Sequence, residues 1–389
     1  VGPQPSLHAG GETVRDCGIE AEAQDSEEGE SVHFRCVDPH HRAAAARLGP
    51  ARPAAAAIAT RLMVGAMIGL FAVTPPVAPL VWFAAMLFVL FTAYGFLSIA
   101  FYGLGVARAE GMGHGGHLRL AAWREGGALL GVCAAAIAPV LSDTLTGAPY
   151  AGFAVGFALL CLAAHLAFRV EWSREPVAVA PGGLRLVLGD AVARRLLLLA
   201  LVNAAPLAVT STLFLFFVES RLGAPGWEGP LLILFFLSAA ASTPVWATLA
   251  RRHSEKPMLL LSMILSILVF AFAAFLATGD TLAFAAVCIA SGAMLGADLV
   301  ILPALFARRL AQIAPEGAEG FGLWSFATKI ALGFAAVSLL PLLEARGFVA
   351  GGDSPEAALT LLSILYALVP CAMKSLAVVL LLATPLPKD

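Results

Sequence analysis

Through most of the chain the apolar residues neither alternate nor recur at helical spacing; they run on continuously and are broken at intervals by short polar segments. An α-helix needs about 20 consecutive apolar residues to cross a bilayer core. Ten such runs are predicted as spans, approximately at 57–74, 79–105, 121–142, 149–168, 194–219, 229–250, 257–277, 281–305, 321–345 and 357–384. Several exceed what a perpendicular span needs, which predicts tilt or a broken helix. Residues 1–56 are different: they have no apolar run, no helical period and no signal-peptide order of basic, apolar and small residues. With an acidic first half and an Arg/Ala/Pro-rich second half, this segment reads as disordered or as the product of a shifted reading frame.

The polar breaks fix an expected orientation, because arginine and lysine collect on the cytoplasmic side of short loops. One alternating set holds Arg108, Arg119, Arg169, Arg174, Arg185, Arg194, Arg195, "RRHSEK" at 251–256, Arg308, Arg309 and Lys388, whereas the other holds only Arg221 and Arg346. Both termini are therefore expected in the cytoplasm. Trp82 and Trp227 at one boundary, and Trp123, Trp172 and Trp246 at the other, fit an aromatic belt. The longest loop, 169–193, is expected to be a cytoplasmic linker between four helices (57–168) and six (194–389).

Composition agrees with this reading. Sixty per cent of residues are hydrophobic and 13% charged, against roughly 25% charged in soluble domains, so the expected fold class is an all-α polytopic membrane protein. A net charge of -2 gives no reason to expect a nucleic-acid partner. The six cysteines have no metal-ligand spacing, and Cys133, Cys161, Cys288 and Cys371 fall in apolar runs as small core residues. His114 and His117 have H-x-x-H spacing without a third ligand, so a loop is the expected reading and no metal or cofactor is predicted. There is no G-x-S-x-G, no H-E-x-x-H and no aspartate pair on one helix face. No catalytic residue is proposed, and the expectation is that the protein is not an enzyme.

Charged residues inside apolar spans are costly, so each is a functional candidate. Asp298, in "SGAMLGADLVILPALF", follows glycines that allow close helix approach. Lys329, in "GFGLWSFATKIALG", lies at comparable depth on the next run. Because a short loop joins the two runs, Asp298 and Lys329 are expected to neutralise each other, as a structural ion pair or in a polar cavity. Lys374 follows Pro370 and either snorkels to the interface or serves with Asp298 in cation coupling or charge balance. Asn203, in "LVNAAPLAVTST", is a candidate for helix–helix hydrogen bonding or for substrate. Arg124 and Glu125 begin the third run, ahead of "GGALLG".

The segments "FTAYGFLSIAFYGLGVARAEG", "LRLAAWREGGALLG", "LFLFFVESRLGAPGWEGPLLILFFLSAAASTPVWATLARR", "GADLVILPALFA" and "GLWSFATKIALG" together resemble the glycoside-pentoside-hexuronide:cation symporters, the melibiose-permease-like branch of the major facilitator superfamily. The resemblance covers about 62–389. It implies a twelve-helix, two-bundle transporter with its solute site between the bundles, and the ten runs correspond to helices three to twelve. Residues 1–61 lack the family's first two helices and its basic loop, so the N-terminal bundle is expected to be incomplete. The family's cation-site carboxylate falls on Ser98, its sugar-stacking aromatic on Tyr102, its helix-five arginine on Arg124 and its helix-eleven lysine on Lys329. Since serine cannot supply a carboxylate, proton coupling is expected in preference to sodium.

The resulting expectation is a secondary active transporter of a small polar solute, a sugar or glycoside. Tyr102, Arg124, Lys329 and Asn203 would bind the solute, and Asp298 and Lys374 would carry coupling or charge balance. Its partners would be the solute, H+ or Na+, and the lipid of a bacterial inner membrane, with the protein acting as a monomer. Alternatives are a lysolipid or amphiphile transporter, which a wide apolar cavity would favour, and a non-transporting membrane scaffold or fragment.

Overall fold

The computed structural model describes residues 18–24, 31–37, 51–113, 115–173, 183–313, 318–350, 352 and 354–385. In the polar N-terminal segment, β1 (Gly18–Gln24) pairs antiparallel with β2 (Ser31–Val37); Arg174, His114 and Lys388 lie outside the described residues.

The rest of the described chain is helical: α1 (Ala51–Phe71), α2 (Pro79–Glu110), α3 (Gly116–Thr146), α4 (Pro149–Ser173), α5 (Gly183–Gly189), α6 (Ala191–Phe216), α7 (Glu228–His253), α8 (Glu255–Ala271), α9 (Thr281–Ile313), α10 (Ala318–Glu344), α11 (Glu356–Ser363) and α12 (Val369–Ala383). Among the described residues ten helices are long and apolar enough to cross a membrane, with α11 and α12 joined into one span. The all-helical membrane architecture expected from the apolar runs is thus present. The 169–193 loop differs from its expectation: α4 continues to Ser173, and the short α5 lies ahead of α6.

Two local breaks have chemical causes. Pro370 has no N–H to donate to the carbonyl four residues back, and the turn just before it, Ile364–Leu368, widens to π geometry. Between α2 and α3 the chain reverses at Gly115, whose φ of +80° suits a residue without a Cβ, and a Cβ there would lie 2.5 Å from the Arg251 side chain.

Helices α1–α4 pack on one another, as do α6–α12. In lipid there is little hydrophobic force between helices, so small residues that permit close backbone approach do much of the holding. The tightest case is α7 against α9. A Cβ on Gly292 would come within 2.3 Å of the Phe235 carbonyl, and one on Gly296 within 2.9 Å of the Ala239 carbonyl. The glycines read from the sequence as permitting close approach thus seat α7. Trp246 completes that seam by donating from Nε1 to the Ala293 carbonyl at 2.7 Å, and it is 7% exposed. It therefore does not stand in the aromatic belt, whereas Trp123 is 80% exposed.

The two helix groups meet through α3 against α7 and α9, and through α2 against α10. Their shared core lies at the arginine-rich end, where Val106, Leu118 and Ala121 pack with Trp246, Ala250, Phe306 and Phe321. At the opposite end the main buried cluster, including Phe217, Phe284, Leu343 and Tyr366, draws only on the second group. The contact between the groups runs from the arginine-rich end past mid-span, through Leu129 against Ala239 and Ala240 and Cys133 Sγ 3.9 Å from the Ile233 carbonyl, while the buried cluster at the other end is built by the second group alone.

Ion pairs tie the helices of the second group to one another at the arginine-rich end. Asp190 caps α6 by accepting from the Ala193 N–H at 2.7 Å, and also accepts from Arg309 Nε at 3.0 Å. The Arg309 guanidinium holds the Asp190 carboxyl below the usual carboxylate range. Arg308 on the same turn pairs with Glu255 at 2.9 Å.

Candidate functional site

The structure gathers the candidate residues other than Lys329 into two polar clusters. The first lies within the second helix group, where α6, α9 and α12 each contribute one residue near the middle of a span. Lys374 Nζ donates to Asn203 Oδ1 at 2.7 Å and forms an ion pair with Asp298 Oδ2. Lys374 is 5% exposed and Asp298 7%. Both charges are withdrawn from solvent, and neither would be stable there without the other.

Of the two readings of Lys374, it is buried beside Asp298 and does not snorkel to the interface. One expectation is corrected: Asp298 pairs with Lys374, not Lys329. The reason is packing: α10 lies against α6 and α2 and meets α9 near the arginine-rich end, through Phe306 against Phe321 and Trp324. Sequence adjacency of α9 and α10 does not make them neighbours along their length. Lys329 is exposed, and among the described residues no ion pair or hydrogen bond holds it.

Asn203, Asp298 and Lys374 lie in the wall of a half-open cleft lined by α6, α7, α8, α9 and α12. The remaining wall combines the hydroxyls of Thr210, Ser266 and Ser291 with Phe235 and Phe270. A neighbouring apolar cleft shares Leu207, Thr210, Phe235, Phe270 and Ser291. Several wall hydroxyls are already committed as donors: Thr210 Oγ1 to the Pro206 carbonyl at 3.1 Å and Ser291 Oγ to the Val287 carbonyl at 2.6 Å. Asp298 Oδ1, fully buried, has no hydrogen-bond partner among the described residues. The wall of the cleft thus holds a buried ion pair with one carboxylate oxygen that no described group satisfies.

The second cluster joins the two helix groups. The Arg124 guanidinium lies 3.7 Å above the Tyr102 ring and 5.9 Å from the Phe321 ring. Its Nε donates to Glu125 Oε1 at 2.8 Å, and the Tyr102 hydroxyl donates to the same oxygen at 3.0 Å. Tyr102 also packs on Phe321 with ring centroids 4.6 Å apart. Tyr102 on α2 and Arg124 on α3 therefore meet, as their joint candidacy as solute ligands would require, and both touch α10. Ser98 lies one helical turn before Tyr102 on the same face.

Sequence reasoning missed Phe321 and the wall residues Pro206, Thr210, Phe235 and Phe270. Apolar residues in apolar runs carry no local sign of facing a cavity. A clue existed for Glu125: a carboxylate within a span, next to an arginine, requires a partner.

A family model described as MFS/sugar transport protein matches residues 45–388. No curated protein matches the sequence. The fold is similar to that of an E. coli fucose:proton symporter, with TM-score 0.63 and 13% identity over 89% of this chain and 87% of that one. It is likewise similar to a bacterial homologue of the iron transporter ferroportin in an outward-facing state, with TM-score 0.63 and 15% identity over 88% of each chain.

Proposed function

The chain belongs to the MFS/sugar transport protein family, and on that premise we propose that it carries a small polar solute, a sugar or glycoside, across a bacterial inner membrane by alternating access. The observation that carries this reading is the junction of the two helix groups, which share a buried core at the arginine-rich end and contacts reaching past mid-span, while the buried cluster at the other end belongs to the second group alone. Two bodies joined in this way can rock about a central site. With the arginine-rich loops on the cytoplasmic side, this is an outward-open arrangement, the state named for the ferroportin homologue.

In this reading Tyr102 and Arg124 are solute ligands at the foot of the opening. An aromatic face and a bidentate donor suit a polyhydroxylated ring. Lys329, exposed and unpaired among the described residues, is free to join them. Coupling is to H+ in preference to Na+, because Ser98 offers no carboxylate; the neighbouring symporter is named for fucose and protons. The test is uptake by cells expressing the full chain, with membrane insertion checked separately. Arg124→Ala and Lys329→Ala are each expected to abolish uptake while leaving insertion intact; unchanged uptake in both refutes the site assignment.

One observation favours a second reading. The cleft beside Asp298 and its apolar neighbour share five wall residues and are rich in phenylalanine, a lining suited to an amphiphile with one polar end. Saturable uptake of a lysolipid, with none of any sugar, would select it.

A further inference from the structure

At the arginine-rich end the turn between α7 and α8 faces the turn between α2 and α3 across a polar cleft. The first helix group contributes Gly115 and His117 to its wall, and the second contributes Arg251, Arg252 and His253. We propose that this cleft binds the phosphate headgroup of an anionic phospholipid, whose acyl chain lies along the outer face of α7. The inference is independent of which solute the protein carries.

The charges in the cleft do not balance. Arg251, Arg252 and Arg308 line it against one carboxylate, Glu255, which pairs with Arg308 at 2.9 Å. Two guanidinium charges are left over. Among the described residues neither Arg251 nor Arg252 has a carboxylate partner, and Arg251 Nη2 reaches the Thr248 hydroxyl at 3.4 Å. Other basic residues at this end are committed: Arg108 to Glu171 at 3.1 Å, Arg309 to Asp190, and Lys256 to the Thr384 carbonyl at 2.8 Å.

Arg251 is nevertheless held in place. Its stem crosses the α2–α3 turn at Gly115, where a Cβ would lie 2.5 Å from Arg251 Cδ. The guanidinium is thereby presented at the seam of the two helix groups with donors to spare. A guanidinium donates two parallel N–H bonds to a phosphate, and basic pockets between membrane helices on the cytoplasmic side suit anionic headgroups.

A second feature selects a lipid over a free phosphate. Arg252 follows Arg251 by about 100° around the helix, and with His253 it also heads an apolar groove running down α7 over Leu249, Val245 and Pro244. Val245 is 55% exposed and lies about 10 Å from Arg252 along the axis. Basic cleft and apolar groove are thus continuous through Arg252 and His253, as an amphiphile with an anionic end requires. Because both helix groups build the cleft, a headgroup in it touches both while they are together at this end. Binding therefore favours that arrangement by the difference in affinity for the two states.

The probe is dihexanoyl phosphatidylglycerol below its micelle concentration, with dihexanoyl phosphatidylcholine and glycerol 3-phosphate as counterparts, titrated into the purified full chain and counted as bound adducts by native mass spectrometry. One phosphatidylglycerol is expected to bind about thirtyfold more tightly than phosphatidylcholine, as two unpaired arginines beside an anionic headgroup would give. Arg251→Gln combined with Arg252→Gln is expected to abolish that preference. Both side chains are exposed, so the thermal unfolding midpoint in phosphatidylcholine is expected to stay unchanged. Val245→Asn, which keeps both arginines, is expected to weaken phosphatidylglycerol about fivefold through lost chain contact. Arg119→Gln, exposed at the same end but outside the cleft, is expected to change nothing. The proposal is overturned by equal binding of the two lipids, by a preference that survives loss of both arginines, or by an equal loss in Arg119→Gln, which would mean diffuse charge attraction. Unchanged binding in Val245→Asn, or displacement of phosphatidylglycerol by glycerol 3-phosphate at equal concentration, overturns the lipid as occupant.

Discussion

The two polar clusters differ in what holds them. Asn203, Asp298 and Lys374 belong to one helix group, in which the two charged residues are buried and Asn203 partly so, and α7 is seated on α9 through Gly292 and Gly296. Tyr102, Arg124, Glu125 and Phe321 come from both groups and rely on a stacked guanidinium, one shared carboxylate oxygen and a ring contact. A cluster inside one rigid body persists while that body moves. A cluster between two bodies has to release, and its contacts are correspondingly modest. The difference predicts that altering the first cluster changes stability, while altering the second changes the balance between conformations.

The largest effect is expected from Lys374→Met, which leaves the Asp298 charge buried without a partner. Losing one member of a buried pair costs about 3–5 kcal/mol, seen as a drop in the thermal unfolding midpoint of the purified protein. Adding Asp298→Leu should recover most of that loss, and failure to recover it would mean that the two residues act independently.

Gly292→Ala is expected to come next. Its new methyl group would meet the backbone carbonyl of Phe235 and not a flexible side-chain tip, so α7 must shift. Overpacking of this kind costs about 1–3 kcal/mol, and the same unfolding measurement reads it. No change would show that the α7–α9 seam is looser than its geometry implies.

The smallest stability effect is expected for Arg124→Ala, where the lost cation–π contact is worth about 0.5–2 kcal/mol. Its signature is conformational: a spin-label pair across α2 and α10 at the arginine-rich end should show a larger open fraction. A loss of stability as great as that of Lys374→Met, with unchanged distances, would erase the distinction between the clusters.

Much of the fold was legible along the chain. The ten apolar runs correspond to ten spans because a bilayer demands that length and that apolarity of any helix crossing it. The long helices extend past the predicted runs, as α3 does from Gly116 to Thr146, because helical hydrogen bonding continues into the interface where hydropathy has already fallen. The candidate residues were legible for the same reason: a charge in an apolar span stands out. Trp246 was misread because the sequence gives its depth along the helix but not the side it faces, and it faces α9.

By itself, then, the sequence determined the membrane-spanning elements, the arginine-rich end, and a short set of charged and polar residues that lipid could not cover. Tertiary structure alone decided which of them meet. Asp298 takes Lys374, 76 residues away, over Lys329 on the following helix, because α10 turns away to pack on α6 and α2. A buried carboxylate requires a cation, but the requirement is met through space. The helix that brings that cation, α12, is placed by its packing on α6 and α8, and no local pattern in the chain records that choice.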